Sequence, residues 1–279
     1  MSFSKIAILG PGLLGGSVGL AAKAAGFEVV LWGRSAERVE ATQSHGLSAT
    51  TDLAVAVDNA DLIIFAVPVG VMAMLAGKIL PHLVEGALVT DVGSVKALPH
   101  EATAALPFIG SHPMAGSEQT GIEAAREDLF QGAACVLTNE SGLDRSKVIA
   151  LRGFWETLGC EVCEMSVADH DRAVARISHM PHAMAVATAA AALRFPSDAD
   201  LAAGGYRDTT RVASGDPAMW AEIMIENRTA LTLALKDAQK EIGEMLDQLA
   251  NSDKKGLQEY LADVKRRKET PTISNERDD

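Results

Sequence analysis

Three short stretches of this chain combine residue types and spacings that could do chemistry. In Gly110-Ser111-His112-Pro113-Met114-Ala115-Gly116-Ser117-Glu118 a histidine stands between small residues, just after the apolar run Leu106 to Ile109. Imidazole titrates near neutral pH, so His112 is the leading candidate for general acid–base work. Ile177-Ser178-His179-Met180-Pro181-His182 puts a hydroxyl and an imidazole four residues apart. On a helix Ser178 and His182 share a face while His179 points away, giving a patch suited to an oxygen-rich ligand. Pro181 leaves the Ile177 carbonyl without its usual donor, so a kink is expected there. In Arg207-Asp208-Thr209-Thr210-Arg211 two guanidinium groups flank a carboxylate, and arginine suits bidentate capture of a substrate carboxylate. Each stretch also has a purely structural reading: a capped strand end, a core histidine beside a kink, a solvated ion pair. Of the three cysteines, Cys160 and Cys163 show the C-x-x-C spacing of redox and zinc sites. They read instead as part of a strand that points them to opposite faces, and no second Cys or His pair completes a tetrahedral site, so no metal is expected.

The elements that must position these groups begin at the N-terminus. Lys5 to Leu9 is a short apolar strand, followed by Gly10-Pro11-Gly12-Leu13-Leu14-Gly15 and an Ala/Leu/Val-rich helix to about Ala25. A G-x-G-x-x-G match becomes informative in this strand–turn–helix context. Gly10 permits the tight turn, Gly12 lets a pyrophosphate approach the backbone, Gly15 lets helix and strand pack, and the helix N-terminus offers donors to phosphate. The second strand, Glu28 to Trp32, runs into Gly33-Arg34-Ser35 where NAD-specific sites carry an acid, with Arg38 a helical turn on. That predicts a preference for NADP, with NAD possible. Gly10, Gly12, Leu13, Leu14, Gly15, Arg34, Ser35, Arg38 and the strand end Val67-Pro68 form the expected cofactor site.

A helix from Glu37 to Ser44, strands at Leu47 to Ala49, Asp61 to Val67 and Ala87 to Thr90, and a helix from Ala97 to Ala104 continue the alternation, which implies a doubly wound parallel sheet. Ser94 and His112 then lie at the ends of consecutive strands and within reach of each other. Strands at Ala133 to Thr138 and Glu161 to Met165, around a helix from Asp144 to Leu158, complete a dinucleotide-binding domain over residues 1–166. The strand signal then ends. A helix from Ala168 to Leu193, a break at Phe195-Pro196-Ser197-Asp198, a short helix, a loop at Gly204-Gly205-Tyr206, a long helix opening at Asp216-Pro217 and a weaker one from Lys255 to Lys268 fill residues 167–279, ending in a polar tail. The fold class is therefore α/β: an N-terminal Rossmann-type parallel-sheet domain followed by an all-helical dimerisation domain. Leu231, Leu235, Ala238, Ile242, Met245 and Leu249 recur in steps of four and three, the spacing of a helix-pairing seam, which predicts a homodimer.

The 279 residues carry a formal charge of −12, which argues against a nucleic-acid or anionic-membrane partner because both demand a basic face. A small-molecule substrate is expected instead. With 4% aromatic residues, the core must be packed by aliphatic side chains. The chain enters its first strand directly after Met-Ser-Phe-Ser, and its apolar run Met184 to Leu193 is too short to span a bilayer, so a cytoplasmic location is expected.

Taken together, Gly10-Pro-Gly-Leu-Leu-Gly-Gly-Ser17, Asp91-Val-Gly-Ser-Val-Lys96, Ser111-His-Pro-Met-Ala-Gly-Ser-Glu118, Ser178-His-Met-Pro-His182, Gly204-Gly-Tyr-Arg-Asp-Thr-Thr-Arg211 and Asp216-Pro-Ala-Met-Trp220 resemble the prephenate/arogenate dehydrogenases of tyrosine biosynthesis, in order, from about residue 5 to 250. The resemblance implies a homodimer and NAD(P)-dependent oxidative decarboxylation of a cyclohexadienol, with the active site between the two domains. It implies that His112 engages the substrate hydroxyl and that Ser94 orients His112 and fixes its tautomer. Ser178, His182 and Arg211 would bind substrate, Glu118, Asp208 and Arg211 would form an ionic cluster at the entrance, and Trp220 would be a nearby structural aromatic. Two other readings stay open: a dehydrogenase of the β-hydroxyacid type, which usually works through a lysine on the helical domain, and a non-catalytic dinucleotide sensor, which would need no convergence of His112, Ser178, His182 and Arg211.

Overall fold

The computed structural model describes residues 3–116 and 119–270. In order these form β1 (Lys5–Leu9), α1 (Leu13–Ala24), β2 (Glu28–Trp32), α2 (Ala36–Ser44), β3 (Ser48–Thr50), α3 (Leu53–Val57), β4 (Leu62–Phe65), α4 (Met72–Ile79), β5 (Leu88–Asp91), α5 (Ala97–Ala102), β6 (Gly110–Pro113), β7 (Ala134–Thr138), α6 (Arg145–Thr157), β8 (Glu161–Glu164), α7 (Val167–Val174), α8 (Met180–Ala192), α9 (Gly204–Thr210), α10 (Pro217–Glu226), α11 (Arg228–Ala250) and α12 (Lys254–Glu269). Five strands make a parallel sheet in the order β3-β2-β1-β4-β5. Its central strands are apolar from Ile6 to Leu9 in β1 and from Leu62 to Phe65 in β4 because both faces are covered there. Ile6, Ile8 and Ile64 pack with Val18 and Ala22 of α1 and with Leu151 and Phe154 of α6, while Ala7, Leu9, Ile63 and Phe65 pack with Met72, Leu75 and Ile79 of α4.

The second sheet, β6-β7-β8, is mixed: β6 runs antiparallel to β7, and β7 parallel to β8. This corrects the expected strand ending at His112. The apolar run Leu106 to Ile109 only touches β5, through Val89 N–H to the Pro107 carbonyl (2.9 Å) and Ile109 N–H to the Val89 carbonyl (3.0 Å). The chain then leaves β5, and His112 lies inside β6, opposite Val136. A side chain replaces the missing ladder: Asp91 Oδ1 accepts from Ser111 N–H at 3.0 Å. Asp91 Oδ2 accepts from Gly93 N–H (2.9 Å) and from Lys96 Nζ, which also donates to the Ser111 carbonyl (2.8 Å). Lys96 and Asp91 are both fully buried, and burial pulls the ammonium pKa down against the opposing effect of the carboxylate.

After β8 the expected helix through Leu193 exists, but its middle is a π-helical turn, Ala175–His179, directly before Pro181. The π turn is the form the predicted kink takes. Gly204-Gly205-Tyr206, expected as a loop, is the first turn of α9, with Arg207 N–H donating to the Ala203 carbonyl (3.2 Å). Asp216 does cap α10, accepting from Met219 N–H at 2.7 Å. The long helix expected from there bends at Asn227, whose backbone leaves the helical region while its side chain is drawn into the interior.

The described residues fall into two compact units, Met1–Leu231 and Thr232–Asp279. The first extends past the 166/167 boundary expected from sequence. In the second, the last five turns of α11 and α12 are tied by Tyr260 Oη donating to Glu241 Oε2 (2.6 Å). Of the seam positions there, Leu235, Ala238 and Met245 are half-buried and Ile242 and Leu249 exposed. No helix among the described residues is long and apolar enough to cross a membrane.

Removing one partner of a buried ion pair strands the other charge, which costs about 3–5 kcal/mol. Lys96→Met should therefore lower unfolding stability by about that amount at pH 7 in a urea titration; an unchanged midpoint would show that Asp91 keeps its place without the ammonium.

Candidate active site

A cavity of about 1100 Å³ runs through the first unit. The glycine turn forms part of its wall through Pro11, Gly12, Leu13 and Leu14. Gly10 has φ +118°, and a Cβ there would sit 2.3 Å from the Ala66 carbonyl oxygen; a Cβ on Gly15 would sit 1.9 Å from the Gly10 carbonyl oxygen. These two glycines shape the turn without lining the cavity. Gly12 is different: nothing lies within 4 Å of its Cβ position. It is also the N-cap of α1 and has no capping side chain, so the first-turn N–H groups of that helix are open to an anionic group in the cavity. The turn thus fits the pyrophosphate of a dinucleotide.

Past β2, Arg38 and Glu37 line the cavity, whereas Arg34 is exposed and lies outside its lining with Ser35. Glu37 is a carboxylate that the sequence reading had not placed there. At the end of β4, Ala66 and Pro68 line the wall, while Val67 packs against the sheet core.

Ser94 and His112 line the same cavity, as do Ser178, His179, Arg211 and Trp220. His112 does not depend on Ser94 for its tautomer, contrary to expectation. Its Nδ1 lies 2.8 Å from His170 Nε2, and His170 Nδ1 lies 2.8 Å from Asp171 Oδ1. A carboxylate only accepts, so His170 Nδ1–H donates to Asp171; in the neutral ring His170 Nε2 then accepts, and His112 Nδ1–H donates to it. His112 Nε2 keeps its lone pair. Asp171 is gripped by the backbone N–H groups of Lys96 (2.8 Å) and Ala97 (3.0 Å) at the start of α5. Burial raises its pKa, but the His170 hydrogen bond and these N–H groups together bring it below the usual carboxylate value. Burial, then the positive charge of Lys96 and the neighbouring histidines, hold the His112 imidazole well below its ordinary pKa. It is neutral at pH 7.

The Ser178–His182 pairing changes in the structure. The π turn breaks the four-residue repeat, so Ser178 is joined at the cavity by His179, which had been expected to point away. His182 is buried outside the lining, its ring stacked on Trp220 at 3.5 Å and 9°. Arg211 reaches the cavity and has no ion-pair partner among the described residues. Arg207 and Asp208 lie outside the lining, and Arg207 donates to the Ala202 carbonyl (3.0 Å). Among the described residues Asp208 and Arg211 form no ion pair; Glu118, the third expected member of the ionic cluster, lies outside the described residues. Cys135 and Cys160 are buried free thiols and Cys163 is half-buried. Among the described residues no group of His, Cys, Asp or Glu is arranged to hold a metal ion.

Sequence reading missed His170, Asp171, Asp91, Lys96 and Asn227. Asp91 and Lys96 had a signal, an acid and a base five apart after an apolar strand. His170 had none, because 58 residues separate it from His112.

Two family models match consecutive parts of the chain: "Prephenate dehydrogenase, nucleotide-binding domain" over residues 18–164 and "Prephenate dehydrogenase, dimerization domain" over residues 166–263. The chain belongs to the prephenate dehydrogenase family. It is 32% identical to a prephenate dehydrogenase of Lactococcus lactis subsp. cremoris over 94% of this chain and 76% of the relative. A crystal structure of Aquifex aeolicus prephenate dehydrogenase with hydroxyphenyl propionate and NAD+ matches with TM-score 0.88 and 30% identity, covering 96% of this chain and 98% of that one. Synechocystis arogenate dehydrogenase matches with TM-score 0.84 and 31% identity, covering 95% and 99%. This chain is therefore a nicotinamide-dependent dehydrogenase of that family.

Because the Gly12 Cβ position is open, Gly12→Ala should fold with a melting temperature close to wild type while its methyl blocks the pyrophosphate. Dinucleotide affinity, read by fluorescence titration, should drop about tenfold or more; undiminished affinity would remove the glycine turn from the site.

Proposed function

We propose that this chain catalyses the oxidative decarboxylation of prephenate, or of its amino counterpart arogenate, to 4-hydroxyphenylpyruvate or tyrosine. The observation that carries this reading is the His112–His170–Asp171 chain ending at a neutral imidazole in the same cavity as the glycine turn. When bound, the nicotinamide supplies the hydride acceptor for ring C4. His112 Nε2 accepts the proton of the C4 hydroxyl, and the Ser94 hydroxyl, on the wall of the same cavity, hydrogen-bonds the same oxygen. His170 holds His112 in the tautomer that leaves Nε2 free, and Asp171 does the same for His170. Arg211 offers a guanidinium to a substrate carboxylate. Electrons from the breaking C–CO2 bond aromatise the ring as CO2 leaves, and the phenolate oxygen takes the proton back from His112, so no covalent attachment to the protein is required. A β-hydroxyacid-type mechanism loses support, because the lysine it would use is replaced by Ser178 and His179 at the cavity.

We hold 166/167 as the boundary between the dinucleotide-binding and dimerisation parts. The family models change over there, and Ser166 caps α7 by accepting from Asp169 N–H (3.1 Å). The dimerisation model and the exposed seam residues of α11 support a homodimer. For the cofactor we propose that NADP is favoured and NAD tolerated. Arg38 lines the cavity and Arg34 is exposed close by in sequence, both without an ion-pair partner among the described residues, whereas Glu37 works against a 2′-phosphate.

Steady-state assays of prephenate and arogenate against both cofactors test the activity. His112→Asn should lower kcat by roughly 100-fold or more with little change in cofactor affinity. His170→Phe, which removes the acceptor for His112 Nδ1–H together with the His170–Asp171 hydrogen bond, should lower kcat by about tenfold or more. Since a base with a depressed pKa stays deprotonated in mild acid, wild-type kcat/KM should remain flat down through about pH 6.5, the ordinary histidine value, and fall only below it. Wild-type kcat in either variant, or an acid limb above that value, would refute the assignment of the base.

Losing a charge-assisted contact costs about 1.5–3 kcal/mol. On that basis Arg38→Ala or Arg34→Ala should raise the KM for NADP roughly 10-fold to 150-fold and leave NAD unchanged. Equal effects on both cofactors would show that neither arginine reads the 2′-phosphate.

A further inference from the structure

His179 is the buried titratable group at the cavity that the mechanism above does not use. It closes the π turn, is 1% exposed and lines the cavity beside Ser178 and Trp220. Its protonation is fixed from behind. Asn227 Nδ2 donates to the Asp171 carbonyl at 2.8 Å and lies 3.1 Å from His179 Nδ1. The amide cannot be turned over, because its oxygen would then face that carbonyl, so the same nitrogen donates to His179 as well. His179 Nδ1 is therefore an acceptor, and the ring proton sits on Nε2. That Nε2 is fully buried and has no hydrogen-bond partner among the described residues. A buried donor left unpaired is destabilising, and at a cavity wall this points to a ligand that satisfies it. Burial pushes the His179 pKa down to about 4, so across the physiological range Nε2 is a neutral N–H donor.

We propose that His179 Nε2–H donates to the 2-keto oxygen of the substrate side chain, and that this makes the site selective for a 2-keto side chain over a 2-ammonium one. A carbonyl oxygen accepts such a bond; an ammonium group is itself a donor and would leave both groups unsatisfied. The inference rests on the cyclohexadienol reading and names which member of that substrate pair is preferred.

The test uses the two aromatic products, which differ only in this group: 4-hydroxyphenylpyruvate and tyrosine, titrated calorimetrically into the full-length protein saturated with oxidised dinucleotide. Wild type should bind the keto acid more tightly. His179→Phe should weaken the keto acid about tenfold and leave tyrosine within about twofold, and the ratio of kcat/KM for prephenate over arogenate should fall in parallel. His179→Asn covers the case in which the phenylalanine variant does not fold. Its amide can turn its oxygen to an ammonium, so the affinity ratio should collapse toward one. Equal losses for both ligands, no loss for either, or an unchanged ratio in His179→Asn would overturn the proposal. If neither ligand binds wild type and neither substrate turns over, the cyclohexadienol reading itself fails, and the inference with it.

Discussion

The Asp91 carboxylate is the junction on which the site depends. It ends the last strand of the parallel sheet and spends both oxygens on the chain that follows, accepting from Gly93 N–H, Lys96 Nζ and Ser111 N–H. It supplies the tie from β5 to the β6 backbone at Ser111, where the bridge between Val89 and the Pro107–Ile109 segment has already ended. The next layer is also polar and buried: the Ser111 hydroxyl accepts from Trp155 Nε1 (2.9 Å) and shares a hydrogen bond with Thr90 Oγ1 (2.7 Å). Three elements thus hold Ser111 from different directions, and the residue after it is His112. An imidazole anchored through its own backbone neighbour moves little, which is what a base needs in order to stay within reach of one hydroxyl.

The same arrangement sets the charge at the site. Lys96 brings a buried positive charge close to His112, and Asp91 holds that charge in place. Asp171 is negative but is turned toward His170 and the start of α5, away from direct contact with His112. The imidazole proposed as the base therefore meets the Asp171 carboxylate only through another histidine. Were Asp171 bonded to His112 directly, it would raise the imidazole pKa and favour the protonated form, which is useless as a base. The intervening ring passes on orientation while weakening that electrostatic pull.

Local patterns made much of this legible in advance. The glycine turn, the parallel strands and the capped start of α10 follow from short-range rules, because strand periodicity, glycine conformation and helix capping are properties of a few adjacent residues, whereas the shared cavity of Ser94, His112, Ser178 and Arg211 was expected from the family resemblance. What was missed is tertiary. His170 and Asp171 read as the polar face of a helix start, and Asn227 as an ordinary helix position. Their partners, His112, Lys96 and His179, lie 48 to 75 residues away, and no spacing rule reaches that far. Past β2 the rule marked both Arg34 and Arg38; the structure puts Arg38 on the cavity wall and leaves Arg34 exposed outside its lining, a difference of side-chain direction that the sequence does not carry.

The exchange of His182 for His179 has a single physical origin in Pro181. A regular helix through residue 181 would require an N–H that proline lacks and would crowd the carbonyl of Ile177. Widening the preceding turn to the π form accommodates both demands, and it also rotates every side chain before the proline relative to those after it. On an unbroken helix Ser178 and His182 would face the ligand together. With the extra residue in the turn, His182 instead falls behind Trp220, where stacking satisfies a flat aromatic ring, and His179 comes forward with Asn227 at its back. A π turn costs stability relative to α-helix. Its persistence here is explained by what it places at the cavity, a hydroxyl and a one-way donor on adjacent residues, which the regular repeat puts on different faces.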